Sequence, residues 1–547
     1  MIDYDMTATF YNKRRLAFLA MVLVVCSALL GSRIQEALSI DNEYDELHKY
    51  QEVLSLVSKY YVDKVDLGEL NKAAIVGLLS KLDPHSVYMP PVNVKQSAEE
   101  FRGNFEGIGV QFTLNHDSIL IEQVMPDGPS EKVGLLPGDK IVSIDARPTK
   151  GYNNDSVVKN LRGPKGTKVI VGIARVGNND LLNFEITRDV IPIVSVTAHF
   201  MVDDKTGYIA LTRFIETSHE EIVKALTDLK AAGMQRLVLD LRGNPGGYLE
   251  QAVQIADEFL GGTKTIVYTK GRVSGFDEVN VSHPGNAYEK LPMVVLVNNG
   301  SASASEILSG SLQDLDRAPI VGETSFGKGL VQRQFGLSDG SALRLTISRY
   351  YTASGRSIQR AYDGGKYTKG IDNADEDEEN FNHTNDLAAD TNRPKFKTAG
   401  GRMIYGGGGI TPDFIVKIDT LSKATISMFA SSVIFDYTRD FVSEHGGEMK
   451  KNYKEDAFLK TYTISDQIVD NLMAKTNEKL AKDKKAKIEA KDIAADREFI
   501  KDWIRAEIGR QTFGYNAQTR VRLEHDKQFQ KAMSLFTEAQ KMAAVSK

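Results

Sequence analysis

At 547 residues the chain exceeds the roughly 100–200 residues that one hydrophobic core usually serves, so three or four modules are expected. Its 68 basic residues against 73 acidic ones give a formal charge of −5, which offers no broad positive field to nucleic acid. Apolar residues at 41% and charged ones at 26% exclude wholesale disorder, and the single cysteine, Cys26, excludes an intrachain disulfide or a cysteine-built metal site.

The uncharged run Leu16–Gly31 follows Lys13, Arg14 and Arg15 and precedes Arg33 and the acidic Asp41, Glu43, Asp45 and Glu46. Basic flanks stay on the cytoplasmic side, so residues 1–35 read as a stub and signal anchor that exports the rest. The run is slightly shorter than the about 20 residues of a spanning helix, which leaves a cleaved signal peptide or a lipoprotein as alternatives. Residues 36–100 read as a helical module, with Leu47, Tyr50, Val53, Leu54, Val57 and Tyr60 at three- and four-residue spacing; Pro84 and Pro90-Pro91 are expected to end regular helix.

Residues 101–190 change to short apolar strands punctuated by turns such as Pro137-Gly138-Asp139 and Gly163-Pro164-Lys165-Gly166, a compact β-rich unit. Over 191–420 strands and helices alternate, which predicts a layered α/β domain with a sheet covered by helices. Asp372–Asp386, dense in Asp, Glu and Asn, predicts an exposed insertion within about 366–400; as a calcium loop it lacks the glycine of an EF-hand turn. Residues 421–547 read as a charged helical extension.

The chemistry is expected in the α/β domain. Asn298–Glu306 (NNGSASASE) joins a buried strand to an apolar-periodic helix. Ser303 with Glu306 fits a capping box, and a serine there also sits beside unpaired N–H groups able to hold an oxyanion. It needs a base, and none of the nine histidines falls in a segment placed beside it. Lys328, flanked by Gly327 and Gly329 after the next strand, can serve if burial lowers its pKa. Gly322–Gly329 also approaches a phosphate-loop spacing, but Gly329 replaces the magnesium-binding hydroxyl and a strand follows, which argues against an NTPase. Asp240–Gly247 (DLRGNPGG) is either a structural turn or a source of free N–H groups.

Together Leu82-Asp83-Pro84-His85-Ser86, Asp240–Gly247, Gly300–Glu306, Phe326–Gly329, Arg349-Tyr350-Tyr351 and Ser354–Gln359 resemble the C-terminal processing peptidases, the tail-specific proteases, over about residues 41–416. The resemblance implies a layered α/β serine-peptidase core with an inserted PDZ-like β-rich domain and helical N- and C-terminal modules. It implies Ser303 as nucleophile, Lys328 as base, Gln332 as the residue that orients the lysine, Ala304 with Gly246 and Gly247 as the oxyanion hole, and Asp314 as structural support. Gly107, Ile108, Gly109 and Val110 resemble the loop that holds a peptide carboxylate, Arg162 a link from the PDZ domain to the catalytic centre, and Arg344–Tyr351 a cleft strand that receives substrate. The implied activity is endopeptidase cleavage of proteins caught by their C-terminal tails, without metal or cofactor, at a bacterial inner membrane and facing the periplasm. A homo-oligomer or an activating adaptor is compatible with it. The rival readings are an inactive PDZ scaffold on a peptidase fold and an acyl-CoA hydratase-like protein.

Overall fold

The computed structural model describes Met21 and residues 44–545, apart from 116–117, 126, 176, 179, 368–392 and 432. The expected anchor, Met21 aside, and most of the acidic insertion therefore lie outside the described residues. Among the described residues no helix is long and apolar enough to cross a membrane.

The chain divides into two units, Met1–Leu79 and Ser80–Lys547. In the first, helix α1 (44–60) is tied to α2 (Leu67–Leu79) by a hydrogen bond from the Tyr50 hydroxyl to Asn71 Oδ1 at 2.8 Å.

The second unit opens with strand β1 (Val87–Met89) and helix α3 (Pro91–Arg102). The expectation that Pro90-Pro91 ends a helix is reversed. Pro91 starts one, because the N–H it lacks would have no partner in a first turn anyway. Local periodicity assigned 80–100 to the N-terminal helices, but β1 pairs with residues 342–344, a partner no local pattern reveals.

Next come β2 (Asn104–Gly107), β3 (Val110–Asn115), β4 (Ser118–Val124), α4 (Pro129–Lys132), β5 (Lys140–Ile144), β6 (Arg147–Pro148), α5 (Asn154–Leu161), β7 (Lys168–Ala174), β8 (Leu182–Thr187) and β9 (Asp189–Pro192). The antiparallel order is β3-β4-β5-β7-β8, with β6 on β5, and β2 pairs with β9 where the chain enters and leaves. Alternate strand residues such as Ile119, Ile121, Ile141, Val169, Val171 and Ile173 close a separate core with Val157 and Leu161 of α5. β3 ends the sheet, with one edge unpaired among the described residues.

The α/β layers follow: β10 (Val196–Met201), β11 (Thr206–Leu211), α6 (Ser218–Ala231), β12 (Arg236–Asp240), α7 (Leu249–Phe259), β13 (Thr265–Gly271), β14 (Glu278–Val281), β15 (Met293–Val297), α8 (Ala304–Asp314), β16 (Ile320–Gly322), β17 (Leu330–Gly336) and β18 (Ala342–Thr352). The central sheet runs β10-β11-β12-β15-β16 and then Phe414–Ile415, parallel from β11 onward. A parallel sheet must be covered on both faces. Leu237 and Leu239 of β12 pack into the core with α6, α7 and α8, whereas Val238 faces the opposite core. A second sheet, β1-β18-β13-β14 with β17 also on β18, stands beside it.

The C-terminal helices are α9 (Lys423–Ala430), α10 (Val433–Asn452), α11 (Glu455–Thr461), α12 (Asp466–Lys482), α13 (Arg497–Phe513), α14 (Tyr515–Leu523), α15 (Lys527–Ser534) and α16 (Phe536–Val545). They serve two different cores. α9–α13 enclose their own, centred on Phe458, Leu472, Ile500 and Ile504. Beyond Gly514 the helices cover the second face of the central sheet, where Phe529, Leu535 and Phe536 meet Tyr208, Val238 and Val294.

Phe529 packs edge-on against Tyr208 at 6.0 Å between ring centroids. Phe529→Ala is expected to destabilise the second unit by about 3–5 kcal/mol. Urea titration should show its transition at lower denaturant, whereas Phe335→Ala, at a residue 38% exposed on β17, should shift it little.

Candidate active site

Ser303 occupies the turn from β15 into α8 with φ 53° and ψ −112°. A non-glycine residue in that region stores on the order of 1–3 kcal/mol and persists only where its surroundings fix it. Here they do. The Ser303 N–H donates to Glu306 Oε2 at 2.8 Å, and its carbonyl accepts from the N–H groups of Glu306 and Ile307. Ser301 Oγ donates to the Leu241 carbonyl and Ser305 Oγ to the Asn244 carbonyl, each at 2.8 Å, so the neighbouring serines stitch this turn to the Asp240–Gly247 turn.

Glycine at 246 is required by that stitching. A Cβ there would lie 2.7 Å from the Ala302 carbonyl oxygen, 2.8 Å from Ser303 Cβ and 2.9 Å from the Ala304 nitrogen, at φ +97°. The three residues expected to form an oxyanion hole divide by what their N–H groups do. Gly246 donates to Asn244 Oδ1 at 2.9 Å and is spent. The N–H groups of Ala304 and Gly247 have no acceptor among the described residues.

Lys328 lies between β16 and β17, half-buried. Burial, and after it the charge of Arg344, holds its ammonium pKa below the ordinary lysine value, while Glu306 and Asp83 oppose the shift. Two side chains join its backbone to that of Ser303. Glu306 Oε2 accepts from the Lys328 N–H at 2.9 Å as well as from Ser303, and Oε1 accepts from Gly327 N–H at 2.7 Å and Ser325 Oγ at 2.5 Å. The Tyr350 hydroxyl donates to the Lys328 carbonyl at 2.5 Å and lies 3.2 Å from the Ser303 carbonyl.

The remaining expected residues fall elsewhere. The Gln332 amide, expected to orient the lysine, points to Thr346 Oγ1 at 3.5 Å, a weak contact. Asp314 ends α8, where it accepts from Thr352 Oγ1 at 2.5 Å and Ser354 N–H at 2.9 Å and pairs with the buried Arg356 at 2.8 Å. Arg162, expected to reach the catalytic centre, pairs instead with Glu99 of α3 and lies over the Phe105 ring at 4.4 Å. At Gly107–Val110 the Ile108 and Gly109 carbonyls are bonded, to Ser130 and to the Met125 N–H, but the Ile108 and Gly109 N–H groups have no acceptor among the described residues.

Sequence reasoning missed three participants. Glu306 read as a helix cap only, and Tyr350 as a strand residue. His85 was set aside with the other histidines, yet it lies within the field of Lys328. Burial first, and the lysine charge second, lower its pKa to about 4, so it is neutral and bonds Tyr367 OH at 2.6 Å. The signal was present in Asp83-Pro84-His85-Ser86, whose Asp83 carboxylate gathers Ser86 Oγ at 2.6 Å and Thr346 Oγ1 at 3.0 Å and so fastens the turn to β18.

The model of peptidase family S41 matches residues 205–366 and that of the PDZ domain 107–187. A carboxy-terminal-processing protease of Bartonella bacilliformis is 37% identical over 350 residues, which span 62% of this chain and 79% of that protein. The chain belongs to the carboxy-terminal processing proteases. It is therefore a hydrolase of peptide bonds. Carboxy-terminal processing protease CtpA of Bacillus subtilis is 38% identical over 337 residues, 61% of this chain and 70% of that one. Among solved structures, a photosystem II D1 C-terminal processing protease aligns at 28% identity over 57% of this chain and 89% of its own, with a TM-score of 0.33. Residues 27–91 match the N-terminal domain of the activating protease CtpB, and 425–514 match a family of unknown function.

Gly246→Ala in this protease is expected to push the Ser303 turn and cut peptide-bond hydrolysis by about 100-fold. Assays of turnover beside thermal melting check it. An unchanged rate would show that the two turns are not tightly coupled.

Proposed function

We propose that this protease cleaves with a Ser303–Lys328 dyad and captures its substrates by their C-terminal tails. The observation that carries the reading is the Glu306 carboxylate, whose one oxygen receives the backbone N–H of both residues. Neutral Lys328 removes the Ser303 proton as Oγ attacks the peptide carbonyl, and the N–H groups of Ala304 and Gly247 receive the oxyanion. The lysine then protonates the leaving amine. Water, activated by the same base, releases the acyl group and restores Ser303.

A base with a lowered pKa is neutral in a larger fraction at moderate pH, which is why burial of Lys328 favours this assignment. The N–H groups of Ile108 and Gly109 and the edge of β3, both without a partner among the described residues, suit a tail whose carboxylate rests in the loop while its backbone adds to the sheet. β18 was expected to receive substrate near the scissile bond, but it is already paired with β17 on one side and with β1 and β13 on the other. Among the described residues β17 is paired on one side alone, and it begins two residues after Lys328. The apolar run 16–31 behind its basic flank supports tethering at a bacterial inner membrane with the catalytic unit in the periplasm.

Incubation with a loosely folded protein bearing an apolar tail, read by mass spectrometry, tests the dyad. Parent chain should cleave, and Ser303→Ala and Lys328→Ala should not; cleavage by all three would sink the assignment. A second expectation concerns pH. Arg344→Gln removes a positive charge that depresses the Lys328 pKa, so the acid limb of the kcat/KM profile should move to higher pH. A limb that stays in place, or moves down, would separate Arg344 from the base.

A further inference from the structure

The helices α9–α13 have a core of their own and touch two other parts of the unit. At one end they continue through Gly514 into α14, which is fixed to the central sheet. Asn516 Oδ1 accepts from the His199 N–H on β10 at 3.1 Å, and the Arg520 guanidinium lies 4.7 Å from the centroid of the Phe200 ring. In the last turn of α13, four residues before Gly514, Arg510 faces β4 of the PDZ domain.

That arginine is oriented before it reaches β4. Glu507, buried beneath it, accepts from Arg510 Nε at 2.9 Å and Nη2 at 2.5 Å, and Gln518 of α14 donates to the same carboxylate at 3.1 Å. With two of its nitrogens held, the planar fork leaves Nη1 aimed at Gln123 Oε1, 3.1 Å away. Gln518, Glu507, Arg510 and Gln123 thus form one hydrogen-bonded chain from the helix on the catalytic sheet to the PDZ strand. Glu122, next to Gln123, lines a small cavity with Phe435, Arg439, Glu507, Arg510 and Gln511. Burial pushes the Glu122 carboxyl up while the Arg510 charge holds it down, as expected of an acid enclosed between the two modules. On the PDZ side, Gln123 lies opposite Gln111 of β3, the strand with the open edge, and the Met125 N–H bonds Gly109 of the carboxylate loop at 2.9 Å.

We propose that the helical module Lys423–Phe513 is a positioning latch for the PDZ domain: Arg510, clamped by Glu507, docks on Gln123 and Glu122 and fixes the tail-binding edge relative to the catalytic core. The latch gives a task to the segment that matches a family of unknown function, and in its consequence for cleavage it rests on the tail-capture reading above. A lost contact at β4 leaves the PDZ domain held at its β2/β9 neck and through the Arg162–Glu99 pair, free to reorient about them.

The test uses the full chain and its Arg510→Ala, Gln123→Ala and Gln123→Glu forms, with a protein substrate offered with and without an apolar C-terminal tail. Loss of the latch should lower kcat/KM for the tailed substrate by at least about fivefold and leave the tail-less one within about twofold. It should also speed amide exchange across β4. Gln123→Ala keeps the buried Arg510–Glu507 pair whole, so it reports on the latch where Arg510→Ala unfolds the module. Gln123→Glu offers the guanidinium a carboxylate and should slow β4 exchange. Unchanged β4 exchange together with unchanged kcat/KM in Gln123→Ala overturns the latch. Tail capture is checked separately by binding of a fluorescent tail peptide to the parent chain; if no binding occurs that reading fails, and β4 exchange alone then decides the latch.

Discussion

One buried carboxylate holds the Ser303 and Lys328 turns together. Glu306 has no exposure to solvent, and burial pushes its carboxyl up to about 7 even though four donors converge on it. Those donors are the N–H groups of Ser303, Gly327 and Lys328 and the Ser325 hydroxyl. A buried acid is costly unless its lone pairs are satisfied, so the segments supplying them are strongly constrained to their places. This constraint makes the positive φ of Ser303 tolerable and carries Lys328 to the start of α8.

The layers around the site exist to keep that carboxylate dry. Every residue of α8 is buried, including Ser309 and Ser311, whose hydroxyls turn back onto helix carbonyls at 2.7 and 2.9 Å. Its partner sheet is covered on the far face by α14–α16, and Arg242, in the turn after β12, bonds both its neighbour Asp240 and Asp526 of the C-terminal segment, each at 2.6 Å. The turn that supplies the Gly247 N–H is therefore braced by residues nearly 300 positions away in the chain. The PDZ domain, by contrast, has a separate core and meets its neighbours through a few polar contacts, an arrangement suited to small changes of orientation.

Much of this was legible in the sequence because the signals are local. Short apolar runs between turn signals marked the β-rich unit, the MVVLV run of β15 marked a buried strand, and Ser303 with Glu306 three residues on marked a helix start. The motif order identified the family and pointed to Ser303, Lys328, Ala304 and the glycine pair. Local signals misled in three places, one through a proline's place in a helix first turn and two through distant partners. Pro91 began a helix instead of ending one, residues 80–100 joined the catalytic unit through β1, and the extension after residue 421 divided between two cores.

The sequence by itself determined the secondary-structure periods, the module order and the residue types at the reacting centre, since each depends on neighbours within a few positions. Only the tertiary structure decided that Glu306 serves both turns, that the N–H of Gly247 and not of Gly246 lacks an acceptor among the described residues, that Arg162 pairs with Glu99, and that Arg510 meets β4. Each of these is a choice among several chemically equivalent partners. Which one is taken depends on where the packed sheets and helices bring segments far apart in the chain, and on the requirement that buried polar groups be paired once they arrive.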